Sequence, residues 1–305
     1  MEERKTLITL ITDLPVDVFR LIGEWTNTKH LIATNRYLFY NVKQCMYLKL
    51  NQRYSLKYYE DEEFRELVLS RVDKPSKQLS IDLSYGDNNS HLRKMGNMYI
   101  LDWCDCCVSD VSQLGNVHTL DLSYCENVID VSELGNVHTL ILRGCCVSDV
   151  SKLGKVHTLI LRSCRNVSDV SHLGNVHTLD LSYCEKVIDV SELGNVHTLN
   201  LSSCGIVYNV SKLGKVHSLN LSWCNISDVS DLGKVHSLNL RGCDNISNVS
   251  DLGKVHSLNL EDCRFVQDVS ELGDVNTLDL SYCINIKTGL SALRNVPNYS
   301  GPDRS

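Results

Sequence analysis

The stretch Val117-His118-Thr119-Leu120-Asp121-Leu122-Ser123-Tyr124-Cys125-Glu126-Asn127-Val128-Ile129-Asp130-Val131-Ser132-Glu133-Leu134-Gly135-Asn136 recurs, barely altered, nine times between Val117 and Val296, and its reading decides the fold. Its clearest marker is a cysteine, at Cys104, Cys125, Cys145, Cys164, Cys184, Cys204, Cys224, Cys243, Cys263 and Cys283, so the spacing is 19 to 21 residues. A fixed period in that range signals a solenoid. One further copy stands ahead of these, because Ile81-Asp82-Leu83-Ser84-Tyr85-Gly86 overlays Leu120 to Cys125 with glycine in the cysteine slot, which brings the count to eleven turns.

Within a turn, the alternation in Leu120-x-Leu122 predicts a short strand with its leucines inward and Thr119, Asp121 and Ser123 on the other face. Val117, Cys125, Val128, Val131 and Leu134 supply the remaining apolar positions. Gly135 is expected to let the backbone turn tightly. Asp130 and Ser132 are expected to hydrogen-bond nearby amides and open a short turn or 3₁₀ segment. A lone turn buries too little to offset the entropy of ordering it, so the copies must stack and the ends must be sealed. Pro15, Pro75, Pro297 and Pro302 all lie outside the repeats, where a proline would delete a donor from a parallel ladder.

The pattern V-x-x-L-x-L-x-x-C-x-x-V-x-D-V-x-x-L-G-x resembles the leucine-rich repeat, L-x-x-L-x-L-x-x-N/C-x-L, over residues 79–296. The resemblance implies an α/β solenoid of eleven short turns with a parallel sheet. Asp-Val-Ser-x-Leu in place of a full helix is similar to the short-repeat type with 3₁₀ segments on the side opposite the sheet.

A hydrophobic content of 43% without a long apolar run describes a chain that does not span a membrane. Leu7 to Ile11 is too short for a signal peptide's apolar region, so a cytoplasmic or nuclear address is expected. Residues 1–78 carry 13 Lys+Arg against 11 Asp+Glu, and residues 79–305 carry 17 against 26, giving +2 and −9. No basic stripe appears, which argues against nucleic acid as a partner and favours a protein or peptide. No nucleophile-base pair or phosphate loop stands out, so neither an enzyme nor a cofactor is expected. The expected oligomeric state is a monomer.

Ahead of the repeats, Asp13 as N-cap, Pro15 in the first turn, and Val18, Leu21, Ile22 and Trp25 at i, i+3, i+4 and i+7 predict a helix. Two shorter helices follow around Leu31-Ile32-Ala33 and from Arg36 to Val42. Leu14-Pro15-Val16-Asp17, Ile22, Leu31-Ile32 and Asn35-Arg36-Tyr37 resemble the F-box, the module that binds Skp1-type adaptors of cullin ubiquitin ligases. The resemblance implies a Skp1 contact through Leu14, Pro15, Val18, Leu21, Ile22 and Leu31. F-box followed by near-identical leucine-rich repeats is similar to proteins of giant DNA viruses, which would place the chain in host cytoplasm. The expected domains are 1–48, F-box-like; 49–78, a linker with a capping helix; 79–296, the repeats; and 297–305, a loose tail. Phe64, Leu67, Val68 and Val72 set that helix over about residues 61–72, and the acidic run Glu60 to Glu63 suits its positive N-terminal end.

The ladder cysteines lack the paired spacing of a zinc site, although Cys104-Asp105-Cys106-Cys107 and Cys145-Cys146 form local clusters. Inter-turn disulfides are opposed by equivalent side chains pointing the same way, which leaves buried thiols acting as small hydrophobes with weak S–H donors. His118, His138, His157, His177, His197, His217, His236 and His256 form a second ladder, expected to be a half-exposed residue with free rotamers that duplication copied.

Function is expected where copies differ within an unchanged frame. The residue before each cysteine runs Trp103, Tyr124, Gly144, Ser163, Tyr183, Ser203, Trp223, Gly242, Asp262, Tyr282, and one place earlier stand Arg143, Arg162 and Arg241. Trp, Tyr and Arg dominate interface hot spots. Trp103, Tyr124, Arg143, Arg162, Tyr183, Trp223, Arg241 and Tyr282 are therefore the expected partner-binding residues of the concave face. Two readings follow: a Skp1-cullin-F-box substrate adaptor that holds a protein target on the repeats, or a repeat scaffold without any ubiquitin link.

Overall fold

The computed structural model describes residues 48–50, 52–70, 79–83, 98–205 and 207–302. They divide between Asp82 and Leu83 into two compact units. The expected helices of residues 13–44, with the Skp1-contact residues Leu14, Pro15, Val18, Leu21, Ile22 and Leu31, lie outside the described residues.

In the first unit Leu48–Lys49 (β1) pairs in parallel with Leu79–Asp82 (β2), Leu48 opposite Leu79. Between them run two helices, Gln52–Glu60 (α1) and Glu62–Ser70 (α2). The helix expected over 61–72 is α2, and α1 is a second helix ahead of it that the sequence reading did not place. Asp61 separates them: its amide donates to the Lys57 carbonyl at the end of α1, and its Oδ1 accepts the Phe64 amide at 2.9 Å, capping α2. The buried face of α2 carries Arg65 and Val68, while Leu67 is exposed. The Arg65 guanidinium lies 5.8 Å from the ring centroid of the buried Tyr58. Ser55 ties helix to strand by donating to the Leu50 carbonyl at 3.3 Å and accepting the Asp82 amide at 3.0 Å.

In the second unit eleven described strands run in chain order: Ile100–Asp102 (β3), Thr119–Asp121 (β4), Thr139–Ile141 (β5), Thr158–Ile160 (β6), Thr178–Asp180 (β7), Thr198–Asn200 (β8), Ser218–Asn220 (β9), Ser237–Asn239 (β10), Ser257–Asn259 (β11), Thr277–Asp279 (β12) and Asn298–Ser300 (β13). Each pairs in parallel with its sequence neighbour, leucine opposite leucine from Leu101↔Leu120 to Leu258↔Leu278. Residues 298–300 are therefore not a loose tail. Tyr299 takes the leucine position opposite Leu278, and the Leu280 amide donates to the Ser300 carbonyl at 2.7 Å. Pro297 stands just before the strand in the slot of the histidines, whose amides donate to the preceding turn, and here the Asn298 amide donates to the Asn276 carbonyl at 3.1 Å instead.

Each turn returns through a 3₁₀ segment such as Ser132–Leu134. The Ser132 amide donates to Asp130 Oδ1 at 2.9 Å, and Asp110, Asp149, Asp169, Asp189, Asp228, Asn248 and Asp268 repeat that bond at 2.9–3.1 Å. Leu290–Asn295, which departs from the repeat in sequence, forms the same kind of segment and buries Leu293. Gly135 works differently from expectation. Its φ of −62° is ordinary right-handed backbone, but an added Cβ would lie 2.5 Å from the Lys152 carbonyl oxygen of the next turn. Glycine is needed for the close approach of neighbouring turns. Among the described residues no helix is long and apolar enough to cross a membrane.

Candidate functional site

Strand ends set the geometry of the site. Asp121, outward on β4, accepts the Ser123 amide on Oδ1 at 2.8 Å, closing a turn around the strand end. Asp180, Asn200, Asn220, Asn239, Asn259 and Asp279 make the same bond at 2.8–3.0 Å. The next residue is left-handed: φ is 61° at Tyr124, Tyr183, Trp223 and Tyr282, and 67° and 66° at Gly144 and Gly242. Glycine adopts that region freely, whereas another residue pays about 1–2 kcal/mol for it. The four aromatics are nonetheless kept there, 46–71% exposed. They stand on the turn that follows each strand and not on the strand itself, so the expected face is shifted to the sheet's C-terminal edge.

Neighbouring turns accommodate these rings. A Cβ on Gly144 would come within 2.8 Å of Tyr124 Cδ1, and one on Gly242 within 2.5 Å of Trp223 Cζ3, so each ring lies over the glycine of the following turn. The Arg162 guanidinium sits 5.2 Å from the Tyr183 ring centroid. That of Arg241 sits 5.8 Å from the Trp223 ring and 3.1 Å from the Glu261 carboxylate. Arg143, Arg162 and Arg241 are all exposed.

Trp103 does not belong to this row. Because Leu101 faces Leu120, Trp103 takes the inward position of Leu122, Asp105 takes the left-handed slot with φ 53°, and Cys106 takes the ladder position. Trp103 is 2% exposed and is a core residue. The ladder therefore starts at Cys106, not Cys104, and Cys106 Sγ lies 3.1 Å from Cys125 Sγ. Each later thiol donates to a carbonyl of the preceding turn, from Cys125 to Trp103 at 3.0 Å, Cys164 to Leu142 at 2.9 Å, Cys184 to Leu161 at 3.1 Å and onward to Cys283. Burial pushes the thiols of Cys145, Cys184 and Cys243 up to about 12.

The histidines are ordered, not free to choose rotamers. From His118 to His256 the eight imidazoles stack at 4.5–4.7 Å between centroids, and Tyr99 extends the column at 4.5 Å from His118. Nδ1 of His118, His138, His157, His177 and His197 lies 3.2–3.3 Å from the hydroxyl of the following threonine. Desolvation, then the neighbouring imidazoles, holds His118, His157, His197 and His236 below the ordinary histidine range.

From β4 to β12 the outward strand positions carry threonine or serine and then aspartate or asparagine, except at two neighbours, Ile141 on β5 and Ile160 on β6, which face each other in register. The sequence reading passed over both. A column comparison at the Asp121 position would have found them, because they are the only apolar residues in it from Asp102 to Asp279.

No protein-family model and no curated protein matches the chain. Solved structures do. An internalin (inlF) from Listeria monocytogenes superposes with a TM-score of 0.50 at 18% identity, covering 74% of this chain and 82% of that one. The functional domain of InlJ from Listeria monocytogenes, which includes a cysteine ladder, gives 0.50 at 16% identity over 74% of this chain and 63% of its own. TLR13 in its complex with ssRNA13 gives 0.51 at 15% identity over 75% of this chain and 44% of its own. With its registered parallel strands, 3₁₀ returns and inward leucines, the chain has the fold of the leucine-rich-repeat solenoids.

Proposed function

We propose that this chain is a protein-binding scaffold whose partner lies along the edge that follows the strands. The observation that carries the reading is the row Tyr124, Tyr183, Trp223 and Tyr282, large rings held exposed in a backbone conformation that disfavours them. Large aromatics bury much area at little entropic cost, and Arg162 and Arg241 beside them add charge and planar stacking. The relative bound to ssRNA13 raises nucleic acid as an alternative partner. Residues 79–305 carry 17 Lys+Arg against 26 Asp+Glu, a balance that repels a polyanion. Capture of partners on the immobilised full chain tests the reading. Trp223→Ala and Tyr183→Ala should each weaken retention of a captured protein by about 2 kcal/mol or more without lowering the melting temperature. Equal retention by both variants would place the binding surface elsewhere.

A narrower reading makes the scaffold a substrate adaptor of a Skp1-cullin ubiquitin ligase. What favours it is the F-box-like run Leu14-Pro15-Val16-Asp17 with Ile22 and Leu31 ahead of the repeats. Purified Skp1 should bind the full chain and fail to bind a Leu14→Ala, Pro15→Ala double variant. Absence of Skp1 binding by the unaltered chain would leave the scaffold without a ubiquitin link.

A further inference from the structure

We propose that the turns carrying β5 and β6 form a peptide subsite that takes an aliphatic side chain beside a carboxylate, making the partner's contact segment an acidic, aliphatic-bearing peptide. The proposal rests on the reading of the post-strand edge as a binding surface and names the chemistry of one part of it.

Ile141 and Ile160 give up a structural bond. In eight other turns the side-chain oxygen at this position accepts the amide two residues on. Isoleucine has no oxygen to offer the amides of Arg143 and Arg162. The arginines do not force the exchange, because the Arg241 amide donates to Asn239 Oδ1 at 3.0 Å in a turn that has both. Nor does the core require it, since both isoleucines are half-buried on the outward side of the sheet. Their contact with each other is one cross-strand pair gained for two capping bonds lost. A break in a local rule without a structural return is expected at functional positions.

Register makes the two residues a single spot. Ile141 faces Ile160 across adjacent parallel strands, bounded by Asp121 on one side and Asp180 on the other. Directly beyond them Arg143 and Arg162 are also neighbours, the Gly144 amide donating to the Arg162 carbonyl at 2.9 Å. Two other arginines of the repeats have carboxylate partners, Arg241 with Glu261 at 3.1 Å and Arg264 with Asp262 at 2.9 Å. Among the described residues neither Arg143 nor Arg162 makes an ion pair. Two arginines on adjacent turns without a carboxylate partner, next to an apolar spot, call for an anion joined to an apolar group. Guanidinium forks match a carboxylate in two-point geometry, and Tyr124 and Tyr183 stand at the two ends of the spot to wall a bound side chain.

A phage-displayed random dodecapeptide library, panned on the immobilised full chain, tests this. Enriched peptides should place Leu, Ile, Val or Met beside Asp or Glu. Their affinity should fall at least about tenfold in Ile141→Asn, Ile160→Asn and in Arg143→Gln, Arg162→Gln. Added salt should weaken binding to the unaltered chain and not to the arginine variant. The asparagine variant copies the residue of Asn200, Asn220, Asn239 and Asn259, so an unchanged or higher melting temperature separates lost binding from lost fold. Peptides without acidic residues, or undiminished affinity in either double variant, would overturn the subsite. Heparin binding that needs the arginines and ignores the isoleucines would overturn it in favour of a polyanion. Enrichment that survives both double variants and disappears with Trp223→Ala overturns the subsite and keeps the edge as a binding surface, whereas no enrichment at all by the unaltered chain overturns both.

Discussion

A methyl group added to Gly135 would meet the Lys152 carbonyl oxygen at 2.5 Å, although the glycine's φ of −62° suits any residue. Gly→Ala in ordinary backbone commonly stabilises a protein by about 0.4–1 kcal/mol through the unfolded chain. Here overpacking should win, and Gly135→Ala should cost about 1–3 kcal/mol in urea unfolding; a gain would mean that the turns are spaced more loosely. At Ile141 the sign reverses. Ile141→Asn restores an acceptor for the Arg143 amide and should leave stability unchanged or raise it by about 0.5–1.5 kcal/mol, and a clear loss would show that the isoleucine serves the core. How much of this was legible depends on the residue. The inward leucines are readable from alternation alone, because a side chain two positions along a strand must return to the same face. The role of Gly135 is not, since it depends on the distance to another turn. Trp103 was misplaced because Cys104-Asp105-Cys106-Cys107 offers several registers, and only the pairing of Leu101 with Leu120 selects one.

The strands, 3₁₀ returns and ladders are the next scale. Asp130 and Ser132 announce the 3₁₀ turn in sequence because capping is local, and the bond at 2.9 Å is the one expected. The start of α2 at Asp61 is local too, and Phe64, Leu67 and Val68 mark it in sequence, whereas α1 ahead of it carries no such apolar spacing in Gln52–Glu60. The ladders are emergent, arising only once identical residues stack. For the thiols, iodoacetamide at pH 8 should label the exposed Cys107 and Cys146 while Cys145, Cys184 and Cys243 wait for unfolding, since thiols pushed up to about 12 hold almost no thiolate. Labelling of Cys184 in the native protein at the rate of Cys146 would contradict a closed ladder. For the imidazoles, a pKa lowered by folding means that the unfolded chain, whose histidines titrate near ~6.5, binds more protons. Stability is then complete above that value and falls as pH drops through it. Asp130, Asp149 and Asp228 are held low by bonds from Ser132, Ser151 and Ser230, so their contribution persists above ~3.9 and is lost only as pH falls through their folded values. Between pH 7.5 and 5 the melting temperature should therefore fall, and His157→Asn with His197→Asn should flatten the slope, asparagine being the native occupant of this slot at Asn276. An unchanged slope would assign the pH dependence to other groups.

For the whole molecule, two kinds of side chain are kept apart within every turn. The inward leucines and valines and the ladder cysteines, buried from Leu101 to Val296, hold turn to turn, and the rings and arginines after the strands are left to solvent. Such a division lets one surface change without disturbing the stack, which is why duplication can multiply the frame while the slot before the cysteine varies from glycine to tryptophan. The solved structures at 15–18% identity share the fold. This account stands or falls on whether the row after the strands is separable from the core, and the chain contains its own control in two tryptophans that each precede a cysteine. The direct measurement is urea unfolding together with partner capture for Trp103→Ala and Trp223→Ala. Trp103→Ala should cost about 3–5 kcal/mol of stability, and Trp223→Ala should leave stability within about 0.5 kcal/mol while capture is lost. Equal losses of stability in the two variants would contradict it, because Trp223 would then belong to the core.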